Sequence, residues 1–249
     1  MRTKLLAVLL ATLSFGIGAD GHKSSEAIIP ESVPEGAFAT LMVAAKNPKE
    51  YTAYVASQPQ LFENIGAVVA GVCVTHTGAD YPGQMMVWTG YPSVESAMEG
   101  LTKYDPADAP KKLSAMREVK YNVIWKPLKQ FDLAPTGIAP GFERVMRVKV
   151  APEKRTAYVA AVTQYEKEAQ EAGIKLQAGV FLPIGGGAHE ADTVHVRFVA
   201  PSASETGARL DKIFASGVDP KSGLAQMYQM GTPVSDTLES CEQLYTATQ

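Results

Sequence analysis

The feature that most constrains this chain is that it repeats itself. Residues 46–56 read KNPKEYTAYVA and residues 150–160 read VAPEKRTAYVA, identical at six of eleven positions at an offset of 104. Ala70-Gly71-Val72 returns as Ala178-Gly179-Val180 at an offset of 108, and Pro92-Ser93 returns as Pro201-Ser202 at 109. An offset that drifts by four residues and then by one is what small loop insertions leave between two copies of one unit. Two copies at this period indicate a duplicated domain and not a solenoid, which needs three or more repeats to bury its faces.

Within each copy the pattern predicts strand, helix, strand, strand, helix, strand. The first copy opens with a strand over Phe38–Ala45, bounded by Gly36 and Pro48. Pro48 suits a first helical turn, and a helix over Lys49–Asn64 follows. Strands over Val68–Thr75 and Met85–Tyr91 flank a turn at Gly78–Gly83, Ser93 caps a helix over Val94–Lys103, and Tyr121–Trp125 closes the unit. The second copy places strands at Phe142–Val150, Leu176–Leu182, Thr193–Val199 and Leu224–Met230, with helices at Glu153–Ala172 and Glu205–Ala215. Ser235–Thr246 is expected to be a C-terminal helix across an edge. This βαββαβ order is the ferredoxin-like unit. The expected organisation is domain 1 over 36–131, a Pro/Gly linker over 132–141, domain 2 over 142–233 and a tail over 234–249.

In the order of its elements and in the repeated TAYVA, over about residues 36–231, the chain resembles the dimeric α+β barrel superfamily. That superfamily includes antibiotic-biosynthesis-type monooxygenases, EthD-like proteins, chlorite-dismutase-like haem proteins and haem-degrading enzymes. The resemblance implies an α+β fold of two tandem ferredoxin-like units whose sheets associate face to face into a barrel, within one chain or in a homo-oligomer. So widely used a fold carries no particular chemistry with it.

The N-terminus predicts export. Arg2 and Lys4 precede an apolar run over Leu5–Leu13, and Ser14–Ala19 is a small-residue exit with cleavage expected after Ala19. Residues 20–35, rich in Pro, Ser and charge, form a lead-in outside the core. The formal charge is −3, and removing Arg2 and Lys4 makes it −5, which argues against nucleic-acid and acidic-membrane partners. Nothing after the leader reaches 18 uninterrupted apolar residues, so no membrane partner is expected once it is removed. In an oxidising compartment Cys73 and Cys241 could pair, tying a central strand to the C-terminal segment; the apolar setting of Cys73 (AVVAGVCV) equally suits a buried thiol.

Helices cover one face of a ferredoxin-like sheet, so function is expected on the other. Alternation puts Glu143, Val145, Arg147 and Lys149 on that face of one strand, and Thr193, His195 and Arg197 on that face of its neighbour. Glu143, Arg147, His195 and Arg197 are therefore the candidate site, with His195 as base and Arg197 and Arg147 stabilising an oxyanion. The chemistry they suggest is cofactor-independent oxygenation or isomerisation of an activated phenol or enol. The alternative is an ion-pair network where two sheets meet. In the first copy Met86 stands where His195 does and Trp88 where Arg197 does, an apolar wall for a small aromatic ligand or plain core.

Other signals are weaker. His189 and His195 share a face in an extended strand, yet two imidazoles do not complete a zinc site, so no metal is expected. Gly185–Gly187 lacks the Lys-Ser/Thr of a phosphate loop and reads as a turn. Tyr51, Tyr54, Tyr158 and Tyr165 recur at helical spacing as core anchors. The expected activity is binding of a small apolar or aromatic ligand without a cofactor. A non-catalytic assembly module is the second reading, and a barrel binding haem through His195 is the third.

Overall fold

In the computed structural model, residues 32–131 and 141–248 are described. The expected leader, most of the lead-in and the linker over 132–140 lie outside them. The first half runs β1 (Ala37–Ala45), α1 (Pro48–Ala56), α2 (Gln60–Glu63), β2 (Val69–Thr77), β3 (Gln84–Tyr91), α3 (Val94–Thr102), α4 (Lys111–Met116) and β4 (Arg117–Lys129). The second runs β5 (Gly141–Val150), α5 (Arg155–Glu171), β6 (Gln177–Gly185), β7 (Thr193–Ala200), α6 (Ala203–Ser216), α7 (Gly223–Met230) and β8 (Gly231–Thr246).

Local chemistry explains most boundaries. Asn47, Ser93 and Ser202 are extended N-caps whose side chains accept the backbone N–H of Glu50, Ser96 and Glu205, supplying partners for the free donors of α1, α3 and α6. The long helix expected over Lys49–Asn64 is two: α1 stops at Ala56, and Pro59 opens the short α2. Proline has no N–H to continue the ladder and its ring clashes with the preceding turn.

Two expectations near the C-terminus are corrected. Leu224–Met230, expected as a strand, is the helix α7, started by Ser222, whose hydroxyl accepts from Ala225 N–H. It buries Leu224 and Met227, three residues apart on one helical face. Ser235–Thr246, expected as a helix, belongs to the strand β8, which runs for 16 residues between β2 and β5. Its first part pairs with β5 and its last part with β2, the two ladders overlapping over Leu238–Cys241, so extended backbone finds partners along its length.

The eight strands close into one antiparallel barrel in the order β1-β3-β2-β8-β5-β7-β6-β4. Each half supplies four neighbours in the same relative order, and the seams β2–β8 and β4–β6 join the halves within a single chain. Two apolar cores lie outside the barrel, between strands and helices. One gathers Val43, Tyr51, Val72, Met85 and Ala97, and the other gathers Val148, Tyr158, Val162, Val196 and Phe198. Tyr51, Tyr158 and Tyr165 are buried in these cores as anchors, and Tyr54 packs against the first. Burying each large side chain contributes roughly 2–3 kcal/mol. Tyr51 accepts a hydrogen bond from Arg117 at 2.7 Å and Tyr165 accepts one from Arg209 at 2.9 Å, so the polar tips are not wasted. With the helices outside, the other strand faces form the barrel interior.

Candidate functional site

Alternation along β5 and β7 turns Glu143, Val145 and Arg147, and Thr193, His195 and Arg197, away from the helix-side core. The two strands pair with Arg147 opposite His195 and Val145 opposite Arg197. The expected shared surface therefore exists, but its four polar members divide into two clusters.

Arg197 and Glu143 belong to the first cluster. Arg197 is buried, its Nε donates to Glu143 at 2.6 Å and its Nη2 donates to Glu239 at 3.0 Å. Glu239 also accepts from Thr237 at 2.9 Å. Burial pushes the Glu143 carboxyl above its ordinary pKa; Arg197 opposes that shift and the second carboxylate, Glu239, adds to it. Arg197 is held above its ordinary value, because the two carboxylates outweigh the cost of its burial. Truncating one partner of such a set is costly, since a buried charge is left without its counter-charge.

Above this cluster the barrel opens into a cavity of about 410 Å³ at the end where β5 begins and β3 ends. Glu143, Arg197, Met86 and the Cys73–Cys241 disulfide line its inner part. Trp88, Phe38, Phe181 and Phe131 form its aromatic wall. The two sequence-predicted ligand residues, Met86 and Trp88, are both in this lining. The disulfide is the pairing that the sequence left open. Cys73 of β2 lies directly opposite Cys241 of β8, with Cα atoms 4.1 Å apart, so the bond crosses the seam between the halves.

His195 and Arg147 lie outside this lining. The Nε2 of His195 is 2.9 Å from Glu190, and its ring packs on Trp125 at 4.1 Å. Burial holds His195 below its ordinary pKa, with Glu190 pulling the other way. Burial would raise Glu190, but hydrogen bonds from His195 and Tyr121 and the field of Arg147 hold its carboxyl below the usual range. The arrangement is a neutral imidazole donating to an ionised carboxylate. Arg147 donates to Asp80 at 2.9 Å, to the His189 carbonyl at 3.0 Å and to Ser235 at 2.7 Å. It thus ties the β2–β3 turn of one half to the β6–β7 turn of the other, closing the far end of the barrel. His189 stacks flat on Tyr121 at 4.1 Å and does not join His195 in a ligand set.

Several site residues had no clear sequence signal. Glu239 sits on the strand expected to be helical, and Glu190 lies in a turn after β6. Gly71 and Gly179 did have one, because they are the centres of the repeated Ala-Gly-Val. A Cβ at Gly71 would stand 2.4 Å from the Trp88 ring, and one at Gly179 would stand 2.6 Å from the Phe181 ring. The repeated glycines are what let two rings of the cavity wall lie against the barrel strands.

No protein-family model matches the chain, and no curated protein matches it. Solved structures do. An anthrone oxidase-like protein aligns with 87% of this chain and 98% of its own at 11% identity, with a TM-score of 0.54. A mutant chlorite dismutase from Candidatus Nitrospira defluvii aligns with 85% and 93% at 11% identity, with a TM-score of 0.51. A haem-binding protein from Thermus thermophilus aligns with 83% and 91% at 7% identity, with a TM-score of 0.49. The fold is the chlorite dismutase-like α+β barrel. An antibiotic-biosynthesis-monooxygenase or EthD-like assignment gains nothing specific from these likenesses.

Such a fold brings haem into question, and the residues of the cavity do not fit it. Haem needs an axial His, Cys, Met or Tyr. None of the three described histidines lines the cavity, and His195 is committed to Glu190. The two cysteines are bonded to each other, and the Met86 sulfur accepts from Arg197 at 3.7 Å. Tyr91 lines the cavity, but its hydroxyl lies beside Gly100 of α3, on the helix side. Between the second half's strands and helices, the space is filled by apolar core.

Proposed function

We propose that this is an exported binding protein that takes a small, largely apolar or aromatic ligand into the open end of its barrel. The observation that carries this is the cavity of about 410 Å³ walled by Phe38, Trp88, Phe131 and Phe181. That volume and lining match the concave, mostly apolar sites with few convergent polar groups that hold small molecules. Export rests on the leader-like sequence of residues 1–19 and gains support from the Cys73–Cys241 disulfide, since structural disulfides persist in oxidising compartments. Closure of the barrel within one chain makes a second copy unnecessary for the cavity.

Binding, and not turnover, is what the geometry favours. A general base must come within about 3 Å of the proton it takes. His195 lies off the cavity with one ring nitrogen bound to Glu190, and Arg147 is occupied at the far end. Arg197 does reach the cavity, but two carboxylates already flank it, so it is a poor oxyanion donor.

The test is a panel of neutral and charged aromatic and aliphatic compounds, with the form beginning at Asp20 purified from the periplasm. Trp88 and Trp125 are the only tryptophans, so Trp125→Phe leaves Trp88 as the reporter in the cavity wall. Native mass spectrometry and Trp88 fluorescence should show a retained mass or saturable quenching. A folded protein that responds to no member of the panel would overturn the proposal.

A further inference from the structure

The cavity has a sign as well as a shape. Its charged lining residues are Arg197, Glu143 and, at the rim, Glu35 and Glu242, with Glu239 held directly against Arg197. The single guanidinium is spent internally. Its Nε donates to Glu143, and its Nη2 donates to Glu239 and lies 3.6 Å and 3.7 Å from the disulfide sulfurs. Its Nη1 faces the Met86 sulfur. No lysine is among the described lining residues, and the nearby Lys126 ammonium donates to the Pro34 and Gly36 carbonyls at 2.6 and 3.2 Å. Even with Lys126 counted, two positive charges stand against four carboxylates.

Among the described residues, an anionic ligand entering this space would meet a surplus of carboxylate and no uncommitted cation. A ligand cation would meet carboxylates together with aromatic rings, whose faces attract ammonium groups through their quadrupoles. We infer that the ligand of this cavity is an organic cation, a small aromatic or alkyl ammonium compound. Its apolar body packs on Phe38, Trp88 and Phe181, and its charged nitrogen faces Glu143. The inference rests on the proposed function above and narrows it to one charge class.

The test uses three compounds of one shape: 2-naphthylmethylammonium, 2-naphthylmethanol and 2-naphthoate. The ammonium should bind about tenfold more tightly than the alcohol, the scale expected of a partly desolvated cation near rings and carboxylates. The carboxylate should bind most weakly. Glu143→Gln should bring ammonium and alcohol to within about twofold of each other. Should Glu143→Gln misfold, the exposed pair Glu35→Gln/Glu242→Gln should still narrow the gap by at least half, on a folded background. Equal binding of ammonium and alcohol, or tighter binding of the carboxylate, overturns the charge assignment while leaving the binding site standing. Failure of all three to bind overturns the site itself, and this inference with it.

Discussion

The Cys73–Cys241 disulfide closes a sequence separation of 168 residues, spanning more than half of the first half and nearly all of the second. In the chain-entropy model, a cross-link over a loop of that length removes roughly 5 kcal/mol of freedom from the unfolded chain. For a chain of this size each kcal/mol is worth about 2–4 °C, so reduction should lower Tm by roughly 10–20 °C. The folded state supplies little of this difference. The two strands are already paired on both sides of the bond, and the Cα atoms lie opposite each other without it. Reduction of the wild-type chain is therefore a cleaner perturbation than substitution, because the sulfur atoms stay in the packing beside Met86 and Arg197. The assay is guanidinium unfolding followed by tryptophan fluorescence, with and without a reductant, and with thiol titration confirming two free cysteines. The midpoint should fall and the slope m should rise, since the reduced unfolded chain expands and exposes more surface. A confirmed reduction that costs less than about 1 kcal/mol would refute the entropic argument. Stability would then reside in the β2–β8 ladder and not in the cross-link.

Three further outcomes follow from the interior. Arg197→Met should cost about 3–5 kcal/mol in chemical denaturation, because it leaves Glu143 and Glu239 buried without a cation; adding Glu143→Gln and Glu239→Gln should recover most of the loss. If the triple variant is no more stable than Arg197→Met, unpaired charge is not the cause. His195 is held below its ordinary pKa when folded, so the unfolded chain binds its proton first. Its share of stability is complete above about pH 6.5 and declines as pH falls from there towards the folded pKa. Glu190, also lowered, adds a loss that begins only as pH falls below the ordinary carboxylate range. Denaturation midpoints of His195→Gln measured from pH 7.5 to 5 should therefore slope less steeply than those of the wild type, and equal slopes would count against the neutral-imidazole assignment. Gly71→Ala should lose about 1–3 kcal/mol, because its Cβ would sit 2.1 Å from the Glu242 carbonyl oxygen, which is backbone and cannot swing aside. The nearest atoms that Gly179→Ala would meet are ring atoms of Phe181 and Phe131, which can shift, so it should cost less stability than Gly71→Ala and weaken ligand binding; a reversed ranking in thermal melts would contradict this packing account.

How far the sequence could reach is clearest where it stopped. The repeat, the N-caps and the alternation of β5 and β7 were sufficient to place Glu143, Arg147, His195 and Arg197 on one barrel face, because each depends on local pattern. What they contact depends on which strands meet across the seams, and that is not local. β8 turns Thr237, Glu239 and Cys241 towards the interior, so its inward side is polar where a strand usually signals itself by apolar residues. Taking Ser235–Thr246 as helical hid the second carboxylate on Arg197, and it left open both the pairing of Cys73 with Cys241 and the closure of the barrel within one chain.

The two halves then explain each other. At equivalent positions of β3 and β7 the first half carries Trp88 and the second Arg197, so the halves place different chemistry on the same scaffold. The first half contributes Phe38, Met86 and Trp88 to the cavity, and the second contributes Glu143, Arg197 and, beneath them, Glu239. Phe181 of the second half completes the aromatic wall, so the cavity is built across the seam, with Phe38, Trp88 and Phe131 from one half and the buried carboxylates from the other. The seam that brings the two contributions together is the one that the disulfide fastens. Loosening the seam by reduction should therefore weaken ligand binding as well as stability. Binding that survives full reduction unchanged would show that the ladder alone keeps the two halves in register.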